Sequence, residues 1–253
     1  MNEAQSAHHM RYAVISDIHS NLEALCAVLE RIDGLAVDKV VCLGDIVGYN
    51  ANPNECIEII RERKIVSAMG NHDATVAGLH DTQGFNHLAA SAIDWTRMVL
   101  TDDNREFLKT LAQGLPIDKR FLCVHGWLNN YFRYITGAQD AKENFDLLEK
   151  DGNLKLCFFG HTHVAISYIE NEGSVLINMD SAFTQPKDAV MLVNPGSVGQ
   201  PRDADPRASF VIYDSVAQSI TFHRADYDIQ TTARKIIEAG LPERLAERLK
   251  LGW

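Results

Sequence analysis

Short apolar runs of strand length recur through the first half of the chain, and each ends abruptly at a polar residue. They are RYAVISD, KVVCLGD, KIVSAMGN, RFLCVHG and LKLCFFGH. Apolar residues at helical spacing lie between the first three runs, in NLEALCAVLERIDG and, after Asn52-Pro53, in NECIEIIRERK. Strands that alternate with helices are typical of βαβ units, so we predict a largely parallel first sheet.

The pattern changes further along the chain. Helical spacing predicts one or two helices over residues 86–112 and a short helix over 138–150. Short alternating runs then predict antiparallel or mixed strands, closed by helices near 228–239 and 242–250; these runs are AISYIEN, SVLINM, AVMLVN, SFVIYD and SITFHR. The sequence has no internal repeat and no Ser/Gly linker. We therefore expect an α/β protein whose two sheets pack within one domain.

Composition narrows the class of protein. The 253 residues are 46% hydrophobic, with 24 basic and 34 acidic side chains, so the formal charge is −10. This apolar content supports a packed core and excludes a disordered chain. The acidic balance, without a Lys/Arg cluster, argues against non-specific binding to nucleic acid or to an anionic membrane. No apolar run approaches the roughly 20 residues of a membrane-spanning helix, and we expect no secretory signal.

The cysteines predict a reducing compartment. There are five of them, an odd number, and no C-x-x-C pair occurs. Cys42, Cys123 and Cys157 lie inside apolar runs. Cysteine is therefore used as a small buried hydrophobe and not in a zinc knuckle or a redox pair. We expect a cytoplasmic protein.

Candidate chemistry is concentrated where the strands end. Each of the five runs is followed by carboxylate, amide or imidazole side chains; the motifs are Asp17-Ile18-His19, Gly44-Asp45, Gly70-Asn71-His72-Asp73, His125 and Gly160-His161-Thr162-His163. In an extended segment, residues two apart face the same side, so one motif can present two groups to one ion. Ligands of open α/β sheets bind beyond the carboxyl ends of the strands. The motifs together predict a metal site there.

Each motif alone has an ordinary explanation. A single Asp-x-His occurs in many loops, Gly-Asp after a strand is usually a turn, and most isolated His-x-His pairs bind no metal. Five motifs that all lie at strand ends favour a shared site. We assign the remaining histidines to the surface or to packing; they are His8, His9, His80, His87 and His223.

In this order, D-x-H, GD-x-x-G, GNHD, a single strand-end histidine and GHTH resemble the calcineurin-like metallophosphoesterase superfamily. The continuation NPGSVGQPR, from Asn194 to Arg202, is similar to the compact bacterial and archaeal branch of that superfamily. The resemblance implies a four-layer α/β/β/α sandwich, with two packed mixed sheets and helices outside. It also implies a single metallophosphoesterase domain over 1–253, with a helical insertion near 78–112 and a candidate lid near 127–150.

The family pattern implies two divalent metal ions with seven ligands in this chain. The ligands of one ion are Asp17, His19 and His163. The ligands of the other are Asn71, His125 and His161, and Asp45 bridges the two. These nitrogen and oxygen donors suit Mn, Fe, Co, Zn or Ni, of which we expect Mn.

The same resemblance implies a reaction. Two metal ions about 3.5–4 Å apart activate water and hold the phosphate in an in-line displacement. We therefore expect a metal-bridging hydroxide to attack a phosphodiester or a nucleotide-type phosphate bond. His72 protonates the leaving oxygen in this scheme, and Asp73 orients the His72 imidazole. The alternative for His72 is a residue that only fills its loop.

Two features near the motifs leave the substrate open. His125 is followed by Gly-Trp-Leu, where this branch often has Gly-Ser-Pro or Gly-Thr-Pro. The aromatic stretch from Trp127 to Tyr134 either stacks a nucleobase over the metals or packs a lid helix, and we favour packing.

Arg202 is the candidate substrate-binding residue. It lies in a Gly/Pro-rich loop, from which it could bind a substrate phosphate bidentately. A surface ion pair with Asp203 or Asp205 is the alternative.

We thus expect a metal-dependent phosphoesterase that acts on a small phosphorylated substrate, with nucleotides among the candidates. Phosphomonoesters and dinucleoside polyphosphates are alternative substrates. A non-catalytic protein-binding scaffold is a further alternative, because the superfamily includes a retromer subunit of this kind. The complete ligand set and His72 favour an enzyme, since a scaffold needs neither. The sequence leaves the natural substrate and the oligomeric state open.

Overall fold

The computed structural model describes residues 9–150 and 154–253. The strands within these residues, in chain order, are β1 (Arg11–Ile15), β2 (Lys39–Cys42), β3 (Val66–Ser67), β4 (Gly114–Ile117), β5 (Phe121–Val124), β6 (Leu156–Phe158), β7 (Ala165–Asn171), β8 (Ser174–Asn178), β9 (Ala182–Thr184), β10 (Val190–Pro195), β11 (Ala208–Asp214) and β12 (Ser219–Ala225). The helices are α1 (Leu22–Asp33), α2 (Pro53–Glu62), α3 (Asn71–Val76), α4 (His87–Val99), α5 (Asp102–Lys109), α6 (Ala138–Lys150), α7 (Ile229–Glu238) and α8 (Glu243–Leu251).

The strands form two mixed sheets of six strands each. Sheet one has the order β3-β2-β1-β11-β12-β9, and sheet two has the order β4-β5-β6-β10-β7-β8. In sheet one only the pairs among β1, β2 and β3 are parallel. The prediction of a largely parallel first sheet is therefore wrong, because β11 and β12 return from the second half of the chain to complete it. The predicted pair of mixed sheets is confirmed.

The two sheets pack face to face, with helices on their outer faces. Alternation in β1 divides its side chains between two cores: Tyr12 and Val14 face sheet two, whereas Ala13 and Ile15 pack with residues of α1. The Tyr12 ring meets the Phe121 ring of sheet two edge-on, with centroids 4.9 Å apart. On the outer face of sheet two, Phe145 of α6 belongs to a third core. This is the α/β/β/α layering that the family resemblance implies.

Three elements were not predicted from the sequence pattern. Strand β4 contains Gly114 and Pro116, which weaken a strand prediction, yet it lies at the edge of sheet two, where proline is tolerated. Strand β9 has only three residues at the edge of sheet one. Helix α3 is a short turn of helix that begins directly at Asn71.

The helices otherwise follow the predicted spacing. The segment 86–112 contains two helices, α4 and α5, which are separated at Leu100 and Thr101. Within the segment predicted as a candidate lid, α6 packs on β7, β8 and β10, so only the loop before it borders the site described below. In the part of the chain that the structure describes, no helix has the length and apolar character needed to cross a membrane.

Candidate metal centre

The loops after β1, β2, β3, β5 and β6 bring all seven predicted metal ligands to one place. Backbone hydrogen bonds join these loops, with the amides of Asp17 and His19 donating to the carbonyls of Gly44 and Asp45 over 3.0 and 2.9 Å. The seven side chains are at most 4% exposed; they are Asp17, His19, Asp45, Asn71, His125, His161 and His163. Buried polar groups at this density require partners.

Most of these residues have a strained backbone. Left-handed conformations, with φ between 48° and 70°, occur at Asp17, His19, Asp45, His161 and His163. Each such conformation costs about 1–3 kcal/mol and persists only where the surrounding structure imposes it. Gly44, in the loop after β2, has φ +100° and lies against the loop after β3. A Cβ at Gly44 would lie 2.5 Å from the Gly70 amide nitrogen. Strained backbone conformations and close contact between neighbouring loops therefore point the ligand atoms inward.

One group of ligand atoms is formed by Asp17, His19 and His163. The Nε2 atoms of His19 and His163 lie 3.1 Å apart. The Oδ1 atom of Asp17 lies 3.2 Å from His163 Nε2 and 3.8 Å from His19 Nε2. Three donor atoms thus surround one point.

A second group is formed around His125. Its Nε2 atom lies 3.1 Å from Asn71 Oδ1 and 3.1 Å from His161 Nδ1. The Oδ2 atom of Asp45 lies 3.2 Å from His125 Nε2 and 3.5 Å from His19 Nε2. Asp45 therefore lies between the two groups, in the position that the family resemblance implies for a bridging ligand.

The outward nitrogen of each imidazole contacts a backbone carbonyl. These contacts measure 3.0, 3.0, 2.6 and 3.3 Å and join His19 Nδ1 to Val47, His125 Nδ1 to Leu43, His163 Nδ1 to Gln200 and His161 Nε2 to Phe132. A carbonyl oxygen only accepts, so the outward nitrogen carries the proton. The inward nitrogen of each ring then presents a lone pair to the centre, as in metal-bound histidines.

This arrangement fits divalent metal ions. When the four imidazoles are neutral, lone pairs of nitrogen and oxygen face one another at hydrogen-bond distance, which is repulsive unless a cation or a proton lies between them. In the metal-free protein, burial opposes the charging of His125, but the carboxylates of Asp45 and Asp17 outweigh it and raise the His125 pKa to about 9. Burial lowers the pKa of His161 to about 3, and His125 adds to this effect. Imidazole, carboxylate and amide donors without a thiolate suit first-row divalent ions.

The comparison with known families agrees with this geometry. Residues 10–218 match the family described as the Calcineurin-like phosphoesterase superfamily domain. The chain belongs to the calcineurin-like phosphoesterase superfamily. It is accordingly a metal-dependent phosphoesterase, a hydrolase.

Several known proteins are similar to this chain over nearly its whole length. Uncharacterized protein MJ0912 of Methanocaldococcus jannaschii is 40% identical over 250 residues, which are 95% of this chain and 97% of that protein. A crystal structure of a metallophosphoesterase from Sphaerobacter thermophilus has 40% identity and a TM-score of 0.83, over 96% of this chain and 99% of the other. Hypothetical protein PH1004 from Pyrococcus horikoshii OT3 shares the fold, with a TM-score of 0.78 at 21% identity over the same fractions.

His72 of this phosphoesterase lies against the centre and is 3% exposed. Its backbone amide donates to Asp45 Oδ1 over 2.9 Å, and its ring packs 4.8 Å from the His19 ring and 4.6 Å from the Tyr49 ring. Its Nδ1 atom is buried and has no hydrogen-bond partner among the described residues. A Cβ at Gly48 would overlap that atom, so glycine leaves room for the ring. Burial lowers the pKa of His72 to about 4.

Asp73 does not orient the His72 imidazole, contrary to expectation. Its Oδ1 atom accepts from the amides of Ile46 and Val47 over 2.9 and 3.2 Å, and its Oδ2 atom accepts from the Gly70 amide over 3.0 Å. These bonds tie the loop after β2 to the start of α3. Burial raises the pKa of Asp73 to about 7, with Asp45 adding to the effect. Asp73 is thus a positioning residue for the ligand loops.

A cavity of about 280 Å³ opens beside the centre. Aromatic side chains line it together with His72 and His161; they are Tyr49, Phe85, Phe132 and Tyr134. The Tyr134 ring stacks on the His161 ring at 3.8 Å and 13°, and the Phe85 ring meets the His72 ring edge-on at 5.1 Å. The cavity therefore offers ring faces next to the candidate ligands.

The aromatic stretch predicted from Trp127 to Tyr134 divides between two roles. Trp127 is 4% exposed and packs with residues of α6, as the favoured interpretation predicted. Tyr131 is 6% exposed and packs with Met69 and Ala74 instead. Phe132 and Tyr134 line the cavity instead. Phe85 comes from a different part of the sequence, and its place in the cavity was not predicted. A single phenylalanine between Gly84 and Asn86 gives no periodic pattern from which to predict it.

Arg202 lies beside the centre and forms no ion pair with its acidic neighbours in sequence. Its backbone amide donates to the His163 carbonyl over 3.1 Å, and its Nη2 atom donates to Gln200 Oε1 over 2.9 Å. Asp203 and Asp205 pair instead with Arg224 and Arg207. The alternative of a surface pair is therefore wrong.

The remaining histidines lie outside the centre. His9 bonds to Asp214 near the surface, His80 bonds to the Tyr131 hydroxyl, and His223 stacks on Phe210. His87 is the exposed first residue of α4. These four follow the prediction, and His8 lies outside the described residues.

Proposed function

We propose that this phosphoesterase holds two divalent ions and hydrolyses a phosphodiester or a nucleotide-type phosphate bond. The observation that supports it is the convergence of seven buried side chains on two adjacent points that share Asp45. A single ion would occupy only one of the two groups of ligand atoms. The lone pairs of the other group would still face one another. The preference for a diester rests on the cavity beside the centre, which has room for an organic group.

The chain's own residues divide the work around the ions. Asp17, His19 and His163 would hold one ion, Asn71, His125 and His161 the other, and Asp45 both. Two such ions, for which we propose manganese, supply an activated water and neutralise charge on the phosphoryl group. The backbone carbonyls behind the imidazoles keep their lone pairs aimed inward, which raises metal affinity.

His72 would donate a proton to the leaving oxygen. One ring nitrogen of His72 lies in the same cluster as ligand atoms of His19 and Asp45, and its Nδ1 atom has no hydrogen-bond partner among the described residues. An anionic substrate adds negative charge beside the ring and thereby favours the protonated imidazole. General acid catalysis of this kind is worth about 10²–10⁴ in rate.

The cavity would accommodate the organic group of the substrate. Phe85, Phe132 and Tyr134 present ring faces on which a planar group can stack. Arg202 would contact a substrate phosphate oxygen from the neighbouring side. Small phosphorylated compounds with a planar base therefore match the site better than extended polymers.

Hydrolysis of bis-p-nitrophenyl phosphate by the metal-loaded protein tests this proposal. We expect turnover with Mn²⁺ that is abolished by EDTA and restored by added metal, and that exceeds turnover of p-nitrophenyl phosphate. Absence of turnover with every divalent metal tried would contradict the proposal and favour the protein-binding scaffold.

We also propose that the protein works in the cytoplasm. All five cysteines are free, and Cys42, Cys56, Cys123 and Cys157 are buried. Free buried thiols are typical of proteins in a reducing compartment.

A further inference from the structure

Among the described residues, no aspartate or glutamate pairs with either of two arginines beside the proposed centre. Arg202 follows β10, and Arg248 lies on α8. Neither forms an ion pair with an aspartate or glutamate within the residues that the structure describes, although Arg207 and Arg224 nearby are both paired. The Nε atom of Arg248 donates to the main-chain oxygen of Trp253, the last residue of the sequence, over 2.6 Å, and among the described residues we find no acceptor for its two terminal nitrogens.

The helix that carries Arg248 packs beside the cavity. Tyr49, which lines the cavity, packs with Leu245 and Leu249 of α8, and the amide of Ala204, two residues after Arg202, donates to the Gly252 carbonyl over 2.9 Å. Burial lowers the pKa of Arg248, and the positive charge of Arg202 adds to this effect, whereas Tyr49 and Tyr134 act in the opposite direction. Tyr49 connects this region to the centre. Its ring lies 4.6 Å from the His19 ring, and its hydroxyl oxygen lies 3.4 Å from Arg202 Nη2. Arg202 is therefore about one tyrosine side chain away from the candidate ligand His19.

Buried donors in the same place also have no acceptor. The Nε atom of Arg202 and the Nε2 atom of Gln200 are buried without a hydrogen-bond partner in the described part of the chain. Gln200 is 1% exposed, and its Oε1 atom already accepts from Arg202. Each buried donor without an acceptor costs about 1–3 kcal/mol. Two cations and two unpartnered donors together suit an anion with several acceptor oxygens.

We propose that Gln200, Arg202 and Arg248 form a subsite for a second phosphoryl group of the substrate, separate from the one that is hydrolysed. The proposal rests on the proposed function and deepens it, because it names the substrate class: phosphate esters or anhydrides with a second phosphoryl group. The planar guanidinium fork matches phosphate oxygens bidentately. Arg248 extends the site onto α8, beyond the strand-end motifs.

A pair of substrates with the same scissile bond tests the subsite in the metal-loaded enzyme. Thymidine 5′-(p-nitrophenyl phosphate) has one phosphate, and its 3′-phosphorylated form has two. We expect wild type to prefer the second, measured as the ratio of the two kcat/KM values. Arg248→Gln reduces that ratio about tenfold, mainly through KM, as loss of one charge-assisted hydrogen bond predicts. Arg248→Lys restores part of it.

Lys250→Gln is the matched control, because it removes one positive charge from the exposed face of the same helix. We expect it to keep the wild-type ratio. Equal ratios in wild type and in Arg248→Gln would overturn the subsite. Melting temperature and metal content of each variant establish that it is folded and loaded.

Calorimetric titration of the metal-free protein with inorganic pyrophosphate gives a readout without turnover. We expect wild type to bind it, and Arg202→Gln and Arg248→Gln each to raise the Kd about tenfold, with Lys250→Gln unchanged. Identical binding by all four proteins, or none by wild type, would overturn the subsite. Turnover of bis-p-nitrophenyl phosphate by the metal-loaded wild type separates this failure from failure of the proposed function.

Discussion

The centre and its rim are built in opposite ways. The seven candidate ligands all follow strands and are at most 4% exposed, and the outward nitrogens of the four histidines bond to backbone carbonyls. The rim, by which we mean Tyr49, Phe85, Phe132, Tyr134 and Arg248, comes from four separate segments of the chain. Tyr134 is 48% exposed, and within the described residues Arg248 forms no ion pair with an aspartate or glutamate. The centre is thus held by the fold, whereas the rim depends on what binds to it.

This difference indicates how the two regions divide the function. Metal ligands need fixed atoms at fixed distances, so a change in the centre affects every substrate alike. Ring faces and guanidinium groups tolerate many positions, so a change in the rim alters only the choice of substrate. Substitutions in each region therefore test whether chemistry and specificity are separate.

The largest effect is expected for Asp45→Asn. Among the described residues, Asp45 is the only carboxylate that lies between the two groups of ligand atoms, so its loss weakens both sites at once. Metal ions contribute several kcal/mol to the transition state, so we expect kcat/KM to fall about 10³-fold or more on every substrate. Elemental analysis of the purified variant measures the metal.

Asp188→Asn is a suitable control, because it removes an aspartate charge from an exposed loop. It should retain both metal and activity. If Asp45→Asn retained two ions at wild-type affinity, the assignment of the bridge would be wrong.

The next effect is expected for His72→Ala, and it depends on the leaving group. An alkoxide needs a proton to leave, whereas p-nitrophenolate does not. We expect loss of about 10²–10⁴ on an alkyl or nucleotide ester and far less on a p-nitrophenyl ester, with both metals retained. Single-turnover measurements ensure that chemistry limits both rates.

Equal losses on the two esters would mean that His72 positions substrate or stabilises charge. Loss of metal would mean that His72 is itself a ligand, for which its place near His19 and Asp45 provides the geometry.

A smaller effect is expected in the rim. Phe132→Ala removes one ring face of the cavity, and stacking contributes about 1–3 kcal/mol per base. We expect KM for thymidine 5′-(p-nitrophenyl phosphate) to rise about tenfold, with KM for methyl p-nitrophenyl phosphate little changed. Leu176→Ala, at an exposed position on β8, provides the control. Equal changes with both esters would place Phe132 outside the substrate site.

The last effect is on thermal stability and not on turnover. Metal ions bind the folded protein and relieve the repulsion between the converging lone pairs, so their removal lowers the stability of the fold. At a hundredfold excess over Kd, one bound ion contributes about 2.7 kcal/mol, which corresponds to a Tm shift of about 5–10 °C. Scanning calorimetry with and without EDTA measures it. An unchanged Tm would show that the centre is stable without a cation.

The sequence predicted the centre better than its surroundings, for physical reasons. Ligands at strand ends are fixed by local chain order, as in Asp17-Ile18-His19. Sheet membership is set by pairing between distant residues, so the return of β11 to lie beside β1 was not predictable. Asp73 was assigned to His72 because it is adjacent in sequence, but backbone amides of the neighbouring loop compete for its oxygens. Phe85 and Arg248 reach the site only through packing.

Titration of metal-free protein with Mn²⁺ tests the central claim most directly. Bound metal is measured by elemental analysis after dialysis, and turnover of bis-p-nitrophenyl phosphate is followed in the same samples. We predict two ions per chain, with turnover rising until the second site is filled. Full activity with a single ion per chain, or no bound metal at all, would contradict a dinuclear centre shared through Asp45.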